Sequence, residues 1–80
     1  MRVVLKHHIK PIKSGFAAEC SAPRLVAHGL TPEMARRNLE RVALSLFAPF
    51  ERDGTLEDEM RFAGVAAEDD GGELSVEVTD

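Results

Sequence analysis

The segment Gly29-Leu30-Thr31-Pro32-Glu33-Met34-Ala35-Arg36-Arg37-Asn38-Leu39 constrains the fold more than any other part of the chain, because it ends a strand, caps a helix and begins that helix's buried face. Thr31 is a good N-cap, since its hydroxyl accepts an amide proton from the first turn. Pro32 follows at N1, where an N–H would have no helical partner. From there Ala35, Leu39, Val42, Leu46 and Phe50 recur every three or four residues, which predicts one apolar face over about five turns, from Pro32 towards Phe50. Pro49 is expected to interrupt the last turn. Glu33/Arg37 and Arg36/Glu40 have the i,i+4 spacing of ion pairs on the wet side.

Ahead of this helix, Val3, Leu5, His7 and Ile9 alternate with Val4, Lys6, His8 and Lys10, the period-two pattern of a half-buried first strand. Pro11 and Ser14-Gly15 mark a reversal into Phe16-Ala17-Ala18-Glu19-Cys20, with Phe16, Ala18 and Cys20 on one face. Ser21-Ala22-Pro23 breaks that strand. Leu25-Val26-Ala27-His28 forms a short third strand, closed by Gly29 at an expected positive-φ turn. After the long helix, Asp53-Gly54-Thr55 is a turn, and Leu56 and Met60, with Ala63 or Phe62, predict a short second helix stopped by Gly64. Glu68-Asp69-Asp70-Gly71-Gly72 reads as a flexible acidic loop, and Leu74, Val76 and Val78 as the inward side of a final strand. The expected order is β-β-β-α-(α)-β, an α+β fold of two layers with the helices on one face of the sheet.

Eighty residues form one expected domain, 1–80, and a chain this short buries only about 60% of its unfolded surface, so self-association into a homo-oligomer is expected. No apolar run approaches the roughly 20 residues that span a bilayer, and the basic residues 1–10 precede no apolar leader core. No membrane partner is expected, and the expected location is cytoplasmic. The lone Cys20 allows no internal disulfide and no cysteine metal cluster.

The net charge of −4 is unevenly spread. Residues 1–14 carry four bases and no acid, whereas residues 51–80 carry eleven acids against Arg52 and Arg61. Such an acidic half repels nucleic acid and attracts basic proteins, or serves as a solvated face. Direct nucleic-acid binding is not expected.

Catalytic constellations are sparse. Adjacent strand residues His7 and His8 point to opposite faces and do not chelate one metal together. His7 is expected to be a hydrogen-bonded core histidine. Cys20 and His28 stand on neighbouring strands, but no helix N-terminus or oxyanion site accompanies them, so a packed cysteine is expected. Glu19 and Glu77 oppose the apolar sets and should lie on the solvated face without evident partners. No glycine-rich phosphate loop is present, because Asp70-Gly71-Gly72 carries repelling acids. No catalytic, cofactor-binding or metal-ligating residue is assigned.

Gly15-Phe16-Ala17-Ala18, the bend at Pro23 and Leu25, and the pattern Gly29-x-Thr31-x-Glu33-x-Ala35-x-x-Asn38-Leu39 together resemble the HicB-like domain of the antitoxins in HicAB toxin–antitoxin systems. The resemblance covers most of the chain. It implies a β-β-β-α-β arrangement likened to a partial ribonuclease H fold. It departs at Met34, where the family often has an acid that completes a capping box with Thr31. Many such antitoxins also continue into a helix-turn-helix or ribbon-helix-helix segment, whereas these 80 residues end at Asp80. The implied function is non-enzymatic: binding a small, basic, RNA-cleaving HicA-type toxin and masking its catalytic histidine or RNA surface. Ribonuclease H chemistry would need converging carboxylates on divalent metal ions, and the first strand has none. The expected partner-binding residues are Glu51, Asp53, Glu57, Asp58 and His28. A solitary HicB-like module that builds a homo-oligomer without a toxin is the alternative.

Overall fold

The computed structural model describes all 80 residues. Eight elements follow in chain order: β1 (Arg2–Lys6), β2 (His8–Ile12), β3 (Gly15–Ser21), β4 (Arg24–Gly29), α1 (Pro32–Asp53), α2 (Leu56–Ala63), β5 (Ala66–Glu68) and β6 (Ser75–Thr79). The fold is α+β, with two small sheets ordered β5-β1-β6 and β2-β3-β4.

The alternation read over residues 3–10 is present, but the segment forms two strands. His7 separates β1 from β2, and each half pairs in a different sheet. Val3, Leu5 and His7 are buried, whereas Lys6, His8 and Lys10 are exposed. β1 runs parallel to β6, with Val3 opposite Val76 and Leu5 opposite Val78, and antiparallel to β5. In the second sheet Ile9, Ala18 and Ala27 stand in one cross-strand row, and Cys20 stands opposite Leu25. These inward residues and the inner row of β1 and β6 form one core with α1.

Thr31 caps α1 as expected, its Oγ1 accepting the Met34 N–H at 3.1 Å. Two expectations for this helix fail. It continues through Pro49 to Asp53: Pro49 removes the N–H that would bond the Ser45 carbonyl, and both residues lie on the exposed side of the helix, where the ring meets no packed neighbour element. Its buried stripe is Ala35, Leu39, Ala43 and Phe47, while Val42 and Leu46 each remain 41% exposed and Phe50 is half-buried. A strict four-residue repeat follows an oblique ridge, as expected when a helix crosses its support at an angle instead of lying straight along it.

Gly29 is also not the positive-φ turn expected of it. Its role is close approach: a Cβ there would lie 2.4 Å from the Ala35 nitrogen and 2.8 Å from the Met34 Cβ. Gly15, at φ +149°, fits beneath it, where a Cβ would come within 2.4 Å of the Gly29 carbonyl oxygen. Two glycines therefore let β3, β4 and the first turn of α1 stack without side chains between them. Asn38 Nδ2 donates to the His28 carbonyl at 2.7 Å and ties the next turn to the same strand end.

α2 ends at Gly64 in the left-handed region, with the Val65 N–H on the Met60 carbonyl at 2.8 Å. Leu56 and Met60 face inward, but neither Phe62, at 93% exposure, nor Ala63 joins them. Val65, just past the cap, fills that place. The acidic stretch begins as the short strand β5, absent from the expected order, where Arg2 lies opposite Glu68. No helix is long and apolar enough to cross a membrane.

The two apolar stripes of α1 differ in an observable way. Phe47→Ala should lower unfolding free energy by about 3–5 kcal/mol, whereas Leu46→Ala should cost about 1 kcal/mol or less. Urea denaturation of both variants checks this, and equal losses would contradict the observed register.

Candidate functional site

The outward face of β2, β3 and β4 is built from the residues that alternate with the core row, all of them at least partly exposed except the buried Ala17. His8, Glu19 and Val26 form one cross-strand row, and Lys10, Ala17 and His28 the next. Glu19 is not without partners. Its carboxylate accepts hydrogen bonds from Lys10 Nζ at 2.8 Å and His8 Nε2 at 3.0 Å. The hydrogen bond from Lys10 is the main reason that Glu19 titrates below the ordinary glutamate range, with His8 acting in the same direction and desolvation opposing both. Arg24 and His28 are exposed on β4 of the same face and have no ion pair. This face is therefore mildly basic around one neutralised carboxylate. Glu77 also has a partner, Arg2, whose guanidinium bridges it at 3.6 Å and Glu68 at 3.0 Å.

The opposite charge collects where α1 turns into α2. Gly54, in the left-handed conformation, ends α1, and its N–H returns to the Glu51 carbonyl. Glu51, Asp53, Glu57 and Asp58 are all exposed around this corner. Glu51, Glu57 and Asp69 line one shallow depression with Met1, Gly54 and Leu56, which brings the acidic loop against the helical corner. The loop is held by its own side chains: Asp69 and Asp70 accept the N–H groups of Gly71 and Gly72. Asp70 titrates below its ordinary range chiefly through that Gly72 N–H, and also through the terminal ammonium 3.2 Å away.

The four acids expected to bind a partner are not equivalent. Glu57 and Asp58 lie in the first turn of α2, where the positive end of the helix favours them, and Arg61 pairs with both at 3.2 and 3.4 Å. Local structure accounts for their placement. Glu51 and Asp53 occupy the last turn of α1, the negative end of that helix, and neither has an ion pair. The fold gives no stabilising reason for them. His28 is exposed but does not join this group. It sits level with Asn38, thirteen residues and hence about 20 Å of helix from Glu51.

No nucleophile emerges from the geometry. Cys20 is buried on the inner face, donates its S–H to the Pro23 carbonyl at 3.0 Å, and has its thiol pushed up by burial. It therefore faces away from His28, which lies on the outer face of β4. His7 is buried, with Nδ1–H donating to the Thr79 carbonyl at 2.7 Å and Nε2 accepting from Arg36 Nε at 3.1 Å. Both ring nitrogens are thus satisfied in the neutral ring, and His7 joins β1, β6 and α1. Arg36 is turned to this contact, and neither expected pair, Glu33/Arg37 or Arg36/Glu40, forms. No three His, Cys, Asp or Glu side chains gather in a metal-binding group.

No protein-family model, curated protein or solved structure matches this chain.

The Glu19 contacts give a pH dependence of fixed sign. A carboxyl whose folded-state pKa is lowered contributes its stability above the ordinary value of about 4.3 and loses it as pH falls through the folded value. Glu19→Gln should therefore be less stable than the wild type at neutral pH, and the gap should close on acidification. Urea midpoints measured across that window check it, and a gap constant with pH would contradict it.

Proposed function

We propose that this chain is a HicB-like antitoxin module that binds a small, basic, RNA-cleaving protein of the HicA type and blocks it by occlusion. In this reading the α+β architecture is a variant of the two-layer, partial ribonuclease H-like HicB arrangement, with the first strand bent at His7 and β5 added. The observation that carries the reading is the pair Glu51 and Asp53, exposed and unpaired at the unfavourable end of α1. Acidic side chains placed against their own helix dipole gain stability when a basic partner arrives. Glu57 and Asp58 extend the same surface, and charge steers association while apolar burial supplies affinity. Exposed Leu46 and Pro49 on the same half of α1 offer apolar surface beside these acids. The role is binding, not catalysis, and it belongs to the cytoplasm, where such a toxin acts. His28, at the other end of α1, would serve as a separate contact.

A second reading, a solitary homo-oligomeric module without a toxin, is favoured by the unpaired outer edge of β6. Recovery of the tagged chain from its native cells separates the two. The antitoxin reading expects a small basic ribonuclease in stoichiometric amount, and recovery of the chain alone would contradict it. With that partner in hand, joint reversal of Glu51, Asp53, Glu57 and Asp58 to Lys should lower the on-rate by about tenfold or more at low salt. Because the last two changes also set Lys against Arg61, the pair Glu51→Gln and Asp53→Asn should slow binding without touching α2. Surface plasmon resonance reads both, and unchanged on-rates would remove these acids from the interface.

A further inference from the structure

Beside β6 lies a shallow groove that the fold itself does not use. Its apolar floor is Leu44, Leu74 and Val76, and its rim is Arg37, Glu40 and Arg41 from two successive turns of α1. Leu44 is 41% exposed, and none of the three charged side chains has an ion pair within the chain. The strand beside them is a free edge. Ser75 N–H bonds the Met1 carbonyl, and the Thr79 carbonyl accepts the His7 N–H, so residues 75, 77 and 79 face β1. In a parallel ladder the intervening Val76 and Val78 then turn their N–H and C=O groups outward. An edge that is neither covered nor charged along its inner row is a template for another strand.

We propose that a second copy of this chain docks here, β6 against β6 in antiparallel fashion about a two-fold axis, with Glu40 of each copy meeting Arg41 of the other. Charge selects this occupant. A two-fold interface sets each patch against its own image, so the patch must be self-complementary. The acidic α1–α2 corner and the basic outer face of β2, β3 and β4 each repel their own copies. The α1/β6 rim carries both signs around an apolar floor and satisfies the requirement. Pairing also supplies a small domain with further buried surface. The dimer rests on the same β6 edge as the homo-oligomeric reading and gives that reading its interface; it does not use the α1–α2 corner, so its failure leaves the toxin reading untouched.

Sedimentation of the full chain tests it. The wild type should form a dimer, and Glu40→Arg or Arg41→Glu alone should weaken it by about tenfold or more. An equimolar mixture of the two variants should restore association, because the more basic rim then faces the acidic one. Neither residue bonds within the chain, so both variants should keep the wild-type circular dichroism. Amide exchange at Val76 and Val78 should be slow in the dimer and fast in either variant alone. A monomeric wild type, a dimer indifferent to both reversals, or a mixture that stays monomeric would each overturn the proposal.

Discussion

The close contact of Gly29 with the first turn of α1 sets the position of everything else. With no Cβ on Gly29, the Ala35 backbone approaches the end of β4, and Gly15 lets β3 reach the same point from below. Thr31 starts the helix there, and Asn38 fixes its second turn to the His28 carbonyl. From this anchor α1 runs obliquely. Its core contact moves along Ala35, Leu39, Ala43 and Phe47, which leaves Val42, Leu46 and Pro49 uncovered further on. The exposed apolar surface of α1 thus follows from the four-residue repeat of its buried stripe.

The same geometry separates charge. The sheet β2-β3-β4, tied to the start of α1, exposes Lys10, Arg24 and His28, while the far end of α1 exposes Glu51 and Asp53. Of these, His28 and Glu51 are separated by most of the length of α1. Between them, His7 joins three elements at the point where the first strand changes sheets, with Arg36 and the Thr79 carbonyl on its two nitrogens. The proposed functions use the surfaces that remain: one acidic end without local compensation, and one strand edge with a mixed-charge rim.

Local patterns were legible in the sequence wherever one chain segment carries the whole signal. The alternation of Val3, Leu5 and His7, the Thr31 cap, the stop at Gly64 and the inward row Leu74, Val76 and Val78 all appear in the structure. What stayed hidden depends on contacts between segments. Periodicity alone does not separate Val42 and Leu46 from Ala43 and Phe47, because both sets lie within one turn of the same stripe, and the crossing angle decides. β5 carries three exposed residues without alternation, so only its pairing with β1 defines it. Arg36 has Glu40 within reach on its own helix yet bonds His7, and Glu19 finds Lys10 and His8 across a strand. For the candidate site, the exposure of the acids was legible from composition. The difference between Glu57 and Asp58, favoured by their helix, and Glu51 and Asp53, disfavoured by theirs, required the observed helix ends.

Equilibrium unfolding of Gly29→Ala tests the central contact through the sign of its effect. Gly29 has no positive φ, so in open space alanine would stabilise the protein by about 0.4–1 kcal/mol through the unfolded chain. Against backbone atoms this near, the added methyl should instead destabilise by about 1–3 kcal/mol. A neutral or stabilised variant would contradict the close helix–strand contact on which the account rests.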